Sequence, residues 1–156
     1  MTSNKKPLHA SPLESHLGFW LRFVSNHVSA RFAALVEEQG ITVSEWVALR
    51  HLFDSDGAAA GELVDTLGMT KGAVSKLVGR LEEKQLLARA ASPEDGRAQT
   101  LALTAQGRKL VPALAELADK NDALFFGHLP AEKREELIAI LREITQRHQL
   151  RALPTE

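Results

Sequence analysis

The stretch AAAGELVDTLGMTKGAVSKLVGRLEEKQLL, Ala58 to Leu87, decides the fold. Its first half reads as a short helix ending at Leu67. Gly68 then supplies the left-handed residue that closes a helix. Thr70 reads as the N-cap of a second helix. Val74, Leu77, Val78 and Leu81 recur at helical spacing and give that helix one buried stripe. Short helix, glycine turn and second helix make a helix-turn-helix pattern. With the stripe inward, Lys71, Ser75, Lys76, Gly79 and Arg80 face outward. On an isolated helix such a face is most often simply solvated, so its meaning depends on the flanking chain.

Downstream, Leu86–Ala91 and Gln99–Leu103 are two short runs separated by SPEDGRA. Leu101 and Leu103 alternate with Thr100 and Ala102, as in a half-buried strand. Pro93 and Gly96 shape a hairpin tip between the two runs. Thr104 caps a further helix, in which Pro112 should introduce a kink or mark the first turns. The last helix is amphipathic, with Leu137, Ile138, Leu141 and Ile144 on one face.

Upstream, residues 1–10 read as a loose tail. SPLE offers Ser11 as N-cap, Pro12 at the first helical position and Glu14 as the capping-box acid. Leu13, Leu17, Trp20, Leu21, Val24, Val28, Phe32 and Leu35 then follow at helical spacing, a helix of roughly 25 residues ending near Gly40. A second capping box, TVSE, starts a helix at Thr42 with Glu45 as its acid. GAAAG, Gly57 to Gly61, holds only small residues, so a strand there should be weak. The expected fold is mostly α with a small β-hairpin wing: a winged helix-turn-helix over residues 41–110. Residues 11–40 and 111–150 form a helical dimerisation region.

These features resemble the MarR family of bacterial transcription regulators. The family's wing motif, Asp-x-Arg-x-x-x-Leu-x-Leu-Thr, is matched by Asp95, Arg97, Leu101, Leu103 and Thr104. LGMTKGAVSKLVGRLEEKQLL is similar to the family's turn, recognition helix and first wing strand, and ITVSEWVALRHL to the preceding helix. The resemblance covers residues 13–150. Two positions depart from it. Gln85 stands where Gly is common, which requires a non-Gly residue in the left-handed conformation. Gly96 replaces a charged side chain at the wing tip.

A helix fits the major groove of DNA and its N-terminal polar side chains reach base edges. Lys71, Ser75 and Lys76 are the candidates for base or phosphate contact. Gly72 and Ala73 are small enough for close approach or a thymine methyl. Thr70 and Arg80 are candidates for phosphate, as is Arg89 in the first wing strand. Asp95 can hold the Arg97 guanidinium extended, and the resemblance implies that Arg97 enters the minor groove, where negative potential is enhanced. A surface ion pair at a turn is the plainer reading, and it is worth only about 0–1 kcal/mol. The resemblance further implies a homodimer on a palindromic double-stranded operator, with Phe125, Phe126, Leu137, Leu141 and Ile144 at the interface. It also implies repression relieved by a small aromatic or phenolic effector. Trp20, Phe23, His27, Trp46 and Arg50 could line that cleft, as aromatic walls with a cation.

Composition agrees with these readings. The net charge is −1, yet Ala58 to Leu110 holds eight basic and six acidic residues. DNA binding needs a local basic face rather than a basic chain. No apolar run is long enough to span a membrane, and the N-terminus lacks the apolar core of a signal peptide, so a cytoplasmic protein is expected. There is no cysteine, and none of the six histidines falls in a metal-binding pair such as HExxH. No cofactor is expected. A metal-responsive regulator is an alternative, with His27 and His128 the first residues to test. A docking module without DNA binding is another. No nucleophile motif, phosphate loop or paired-carboxylate site indicates an enzyme.

Overall fold

The computed structural model describes residues 8–91 and 99–155. Its helices are α1 (Leu17–Glu37), α2 (Val43–Phe53), α3 (Ala60–Leu67), α4 (Lys71–Glu83), α5 (Ala105–Phe126) and α6 (Ala131–Arg147), and its strands are β1 (Ala58–Ala59), β2 (Leu87–Ala91) and β3 (Gln99–Leu103). The sheet is antiparallel with order β1-β3-β2. Arg89 and Ala58 both pair with Leu101, and Leu87 pairs with Leu103. Leu101 and Leu103 are buried, which holds the hairpin's base against the helices. β1 is only two residues long, as its small side chains led one to expect.

The entry to α1 differs from the expected capping box. Ser11 caps nothing. Leu13–Ser15 forms an isolated 3-10 turn, and α1 begins after His16, which lies in the extended region. A side-chain donor takes the place of a helical one here. The Glu14 carbonyl, which a continuous helix would offer to the Gly18 N–H, instead accepts the Trp20 Nε1–H at 2.9 Å. The far end of α1 closes on Gly40, φ +73°, and the Ile41 N–H reaches back to the Val36 carbonyl at 3.0 Å.

Leu49, Leu52, Leu63, Leu77, Leu81, Leu101 and Leu114 have almost no exposed surface. Each buried leucine stabilises the fold by about 1.5–3 kcal/mol. Val36 is the one buried residue of α1, although it lies off the apolar stripe read from the sequence. Val111 and Leu114 belong to the same core as α2 and α4, so packing continues past residue 110. Pro112 lies in the third turn of α5, on an exposed position, and the helix runs on past it to Phe126. Arg108 on α5 donates to the Phe53 and Ser55 carbonyls at 3.2 and 3.1 Å, closing the end of α2. Among the described residues, no helix is long and apolar enough to cross a membrane.

α5 crosses the chain closely at Gly107. A Cβ there would run into the Leu86 carbonyl oxygen, which already accepts the Thr104 N–H at 3.1 Å. Gly107→Ala is therefore expected to lower unfolding free energy by about 1–3 kcal/mol. A lower urea midpoint at unchanged slope would show this, and an unchanged midpoint would contradict it.

Candidate nucleic-acid interface

The turn before α4 is built as its residues dictate. Gly68 adopts φ +61° at the end of α3. The Thr70 hydroxyl accepts the Ala73 N–H at 3.1 Å and starts α4. Val74, Leu77, Val78 and Leu81 are all buried, so the predicted stripe faces the core. Lys71, Gly72, Ser75, Lys76 and Arg80 are exposed, and Ala73 and Gly79 are half-buried. A Cβ built at Gly72 or Gly79 meets nothing, so both leave open surface. At the other end Gln85 takes φ +59°, the left-handed non-Gly residue its position required. The Leu86 N–H bonds the Leu81 carbonyl at 3.0 Å and turns the chain into β2.

The orientation of α4 rests on Glu45. This carboxylate has no exposed surface. Oε2 accepts the Thr42 N–H at 3.0 Å and Lys84 Nζ at 2.7 Å, and Oε1 accepts Arg80 Nε at 3.1 Å. Lys84 Nζ also donates to the Gly40 carbonyl at 2.7 Å. One acid thus joins the end of α1, the start of α2 and the last turns of α4. Burial alone would raise its pKa. Hydrogen bonds from Lys84, the Thr42 N–H and Arg80 outweigh that and hold it below the ordinary 4.5.

Arg80, a phosphate candidate in the sequence, takes part in this network. Its Nε is committed to a buried partner, although the side chain remains about half exposed. Arg89 is similarly engaged, donating from Nε to Glu82 of α4 at 2.9 Å. It ties the wing to the recognition helix before it can touch any nucleic acid. Lys71, Ser75 and Arg89 border a groove of about 340 Å³ between α4 and the sheet. Asp95, Gly96 and Arg97 of the wing tip lie outside the described residues.

The five residues read as an effector cleft do not come together within one chain. Trp20, Phe23 and His27 lie along one side of α1, with Phe23 and His27 ring centroids 4.9 Å apart. Trp46 packs on Phe32 at 6.1 Å, and Phe32 lies twelve residues beyond Trp20, about 18 Å along a helix. Trp20 borders a groove of about 590 Å³ with Phe125, Phe126, Leu137 and Leu141. Trp46 and Arg50 border a separate cleft of about 510 Å³ between α2 and α3. Arg50 donates to Asp54 at 2.7 Å. His128 also borders the first groove. Among the described residues, no three His, Asp or Glu side chains gather as metal ligands.

Of the residues read as interface, Phe125 and Phe126 are half-buried and Leu137, Leu141 and Ile144 are exposed. No residue of α6 is buried. Arg134 anchors α6 to Asp122 of α5 at 2.6 Å, but the helix adds nothing to the chain's own core.

Sequence reasoning took Glu45 for a cap alone and missed Lys84. The signal was present: Arg80 and Lys84 are four apart, which puts two cations on one side of α4.

The exposed basic helix beside a three-stranded wing defines a winged helix-turn-helix protein of the transcription-regulator class. Residues 39–98 match the model of the MarR family. The chain is 29% identical over 131 residues to the HTH-type transcriptional repressor Rv2887 of Mycobacterium tuberculosis, covering 84% of this chain and 94% of the relative. Two solved structures share the fold at 25% identity. One is that of Bordetella bronchiseptica BpsR, from work on the regulation of its DNA binding by 6-hydroxynicotinic acid (TM-score 0.75; 90% of this chain, 98% of that one). The other is a complex of Staphylococcus aureus MepR with DNA (TM-score 0.74; 85% and 98%). Over residues 39–98 the chain is thus similar to the MarR family, and over most of its length to transcriptional regulators.

A carboxyl held below its unfolded pKa stabilises the fold fully above that value and loses the contribution as pH falls through the lowered one. Glu45→Gln should therefore cost about 1–3 kcal/mol near pH 7. The gap from the unsubstituted chain should close as pH falls below 4.5, read from urea midpoints. A gap unchanged down to about pH 3 would contradict the role given to the ionised group.

Proposed function

We propose that the protein is a repressor that binds double-stranded DNA sequence-specifically as a homodimer and is released by a small aromatic acid. The observation that carries this reading is the outward face of α4. Lys71, Ser75 and Lys76 are exposed on a helix whose inner face is locked by Val74, Leu77, Val78 and Leu81 and whose end is tied down by Glu45. Polar side chains near the N-terminus of such a helix meet base edges in the major groove, while the wing meets the backbone and minor groove. Thr70, Gly72, Ala73, Arg80 and Arg89 border the same surface, and Asp95 and Arg97 belong to the wing tip in the sequence motif. MepR's structure with DNA supports this placement by family likeness.

The groove lined by Leu17, Trp20, Leu21, Val24, Phe125 and Leu141 is largely apolar, and Leu137, Ile140 and Ile144 extend apolar surface along α6. Exposed apolar area on this scale marks an interaction surface. A two-fold dimer through residues 11–40 and 111–150 covers it and sets two winged units, residues 41–110, about one turn of DNA apart. For the effector, the Trp46 and Arg50 cleft offers an aromatic wall and a cation. BpsR's regulation by 6-hydroxynicotinic acid supports a small aromatic acid as its class.

Three readouts test this. In anisotropy titrations against the chain's own upstream duplex, Lys76→Ala should lower affinity and reduce the salt slope by about one. Equal affinity for unrelated duplex sinks the regulator reading. Leu141→Asp should sediment as a monomer and lose operator binding, whereas a monomeric unsubstituted chain contradicts the dimer. A panel of aromatic acids, 6-hydroxynicotinic acid included, should contain one that releases the operator. Failure of every member removes the effector part.

A further inference from the structure

The segment that follows α6 does not trail into solvent. Gln149 takes φ +53°, and the Leu150 N–H bonds the Thr145 carbonyl at 3.0 Å, so α6 closes and the chain turns sharply. It then runs to the helix-turn-helix. The Leu153 N–H donates to the Thr66 carbonyl at 3.1 Å. Thr66 lies in the last turn of α3, where carbonyls have no partner within the helix. Ala152 sits over Gly68, so closely that a Cβ on Gly68 would stand 2.6 Å from the Ala152 Cβ. Gly68 therefore does two things: it takes the left-handed turn and it leaves room for the incoming segment. Leu153 borders the α2–α3 cleft with Trp46, Val47, Arg50 and Glu62. Pro154 borders the adjoining pocket with Phe32, Val43 and Trp46. Trp46 thus forms part of the wall beside both residues.

We propose that residues 152–154 are a built-in strap that closes the Trp46 cleft and fastens the end of α6 to the first helix of the helix-turn-helix. α6 carries no buried residue, so its position follows whatever covers its apolar face. The strap passes that position to α3, and through the Gly68 turn to α4. A molecule that fills the cleft beside Trp46 and Arg50 packs against Leu153 and bears on its tie to α3. The strap therefore forms one wall of the proposed effector cleft, and its consequence for DNA rests on the regulator reading above.

The chain has only two tryptophans, so Trp20→Phe leaves Trp46 as the sole reporter. In that background Leu153→Ser with Pro154→Ser should shift Trp46 emission to the red and raise acrylamide quenching. Ending the chain after Leu150 should do the same. Leu153 is 44% exposed, so these changes leave the core intact. Operator affinity of both variants should fall about fivefold, the scale of one modest hydrogen bond with its contact, while sedimentation still reports a dimer. Unchanged Trp46 emission and quenching in both variants overturns the strap. Opened Trp46 with unchanged operator affinity overturns its coupling to DNA. If the unsubstituted chain binds unrelated duplex as well as operator, the regulator reading fails, and Trp46 emission still decides whether the strap exists.

Discussion

A single buried carboxylate organises the winged half of this molecule. Glu45 caps its own helix, accepts from Arg80 and Lys84 of α4, and through Lys84 reaches the Gly40 carbonyl at the end of α1. Burying a charge is costly unless it is fully paired. Here the cost is offset by three donors with little freedom in direction, and that restriction is the useful property. A hydrophobic contact in this place would tolerate rotation of α4 about its stripe, whereas a carboxylate bonded to two residues one turn apart does not. The exposed edge bearing Lys71, Ser75 and Lys76 is aimed as a result. Arg89 adds a second tie, from the wing to Glu82, so helix and hairpin present one surface.

The other half of the chain is organised by what it lacks. α1 buries only Val36, and α6 buries nothing. Their apolar side chains line an open groove beside Phe125 and Phe126. Asn121, deep between α5 and α1, donates to the Val28 carbonyl at 3.1 Å and helps hold those two helices together. The groove is thus a formed surface with a fixed floor. Its position at the far end of α5 from the wing lets one long helix carry position between the two regions. Val111 and Leu114 anchor that helix in the winged core.

Much of this was legible in the sequence wherever one residue meets one local requirement. Thr42, Thr70 and Thr104 each cap the helix assigned to them, Gly68 is left-handed, and Gln85 takes the same conformation without being glycine. The stripe of α4 is buried residue for residue. Local signals failed where a distant group competed for the same atom. Ser11 caps no helix, and the Trp20 indole takes the Glu14 carbonyl that a continuous helix would have used. Arg80 reads as a phosphate candidate alone, yet its Nε is held by Glu45, thirty-five residues earlier. Trp20 and Trp46 are both aromatic and on neighbouring helices, but the length of α1 keeps them on different clefts. The approach of Leu153 to Thr66 left no mark in the sequence, because a backbone hydrogen bond requires no particular side chain.

The account stands on the claim that Glu45 aims α4 at base edges. Its most direct measurement is the ratio of affinities of Glu45→Gln for operator and for unrelated duplex, at matched salt and at a temperature where the variant is fully folded. The prediction is that the ratio falls toward one while the salt slope is retained, because the lysines still meet phosphate but the helix no longer holds its register in the groove. A ratio equal to that of the unsubstituted protein would show that α4 finds its orientation without Glu45.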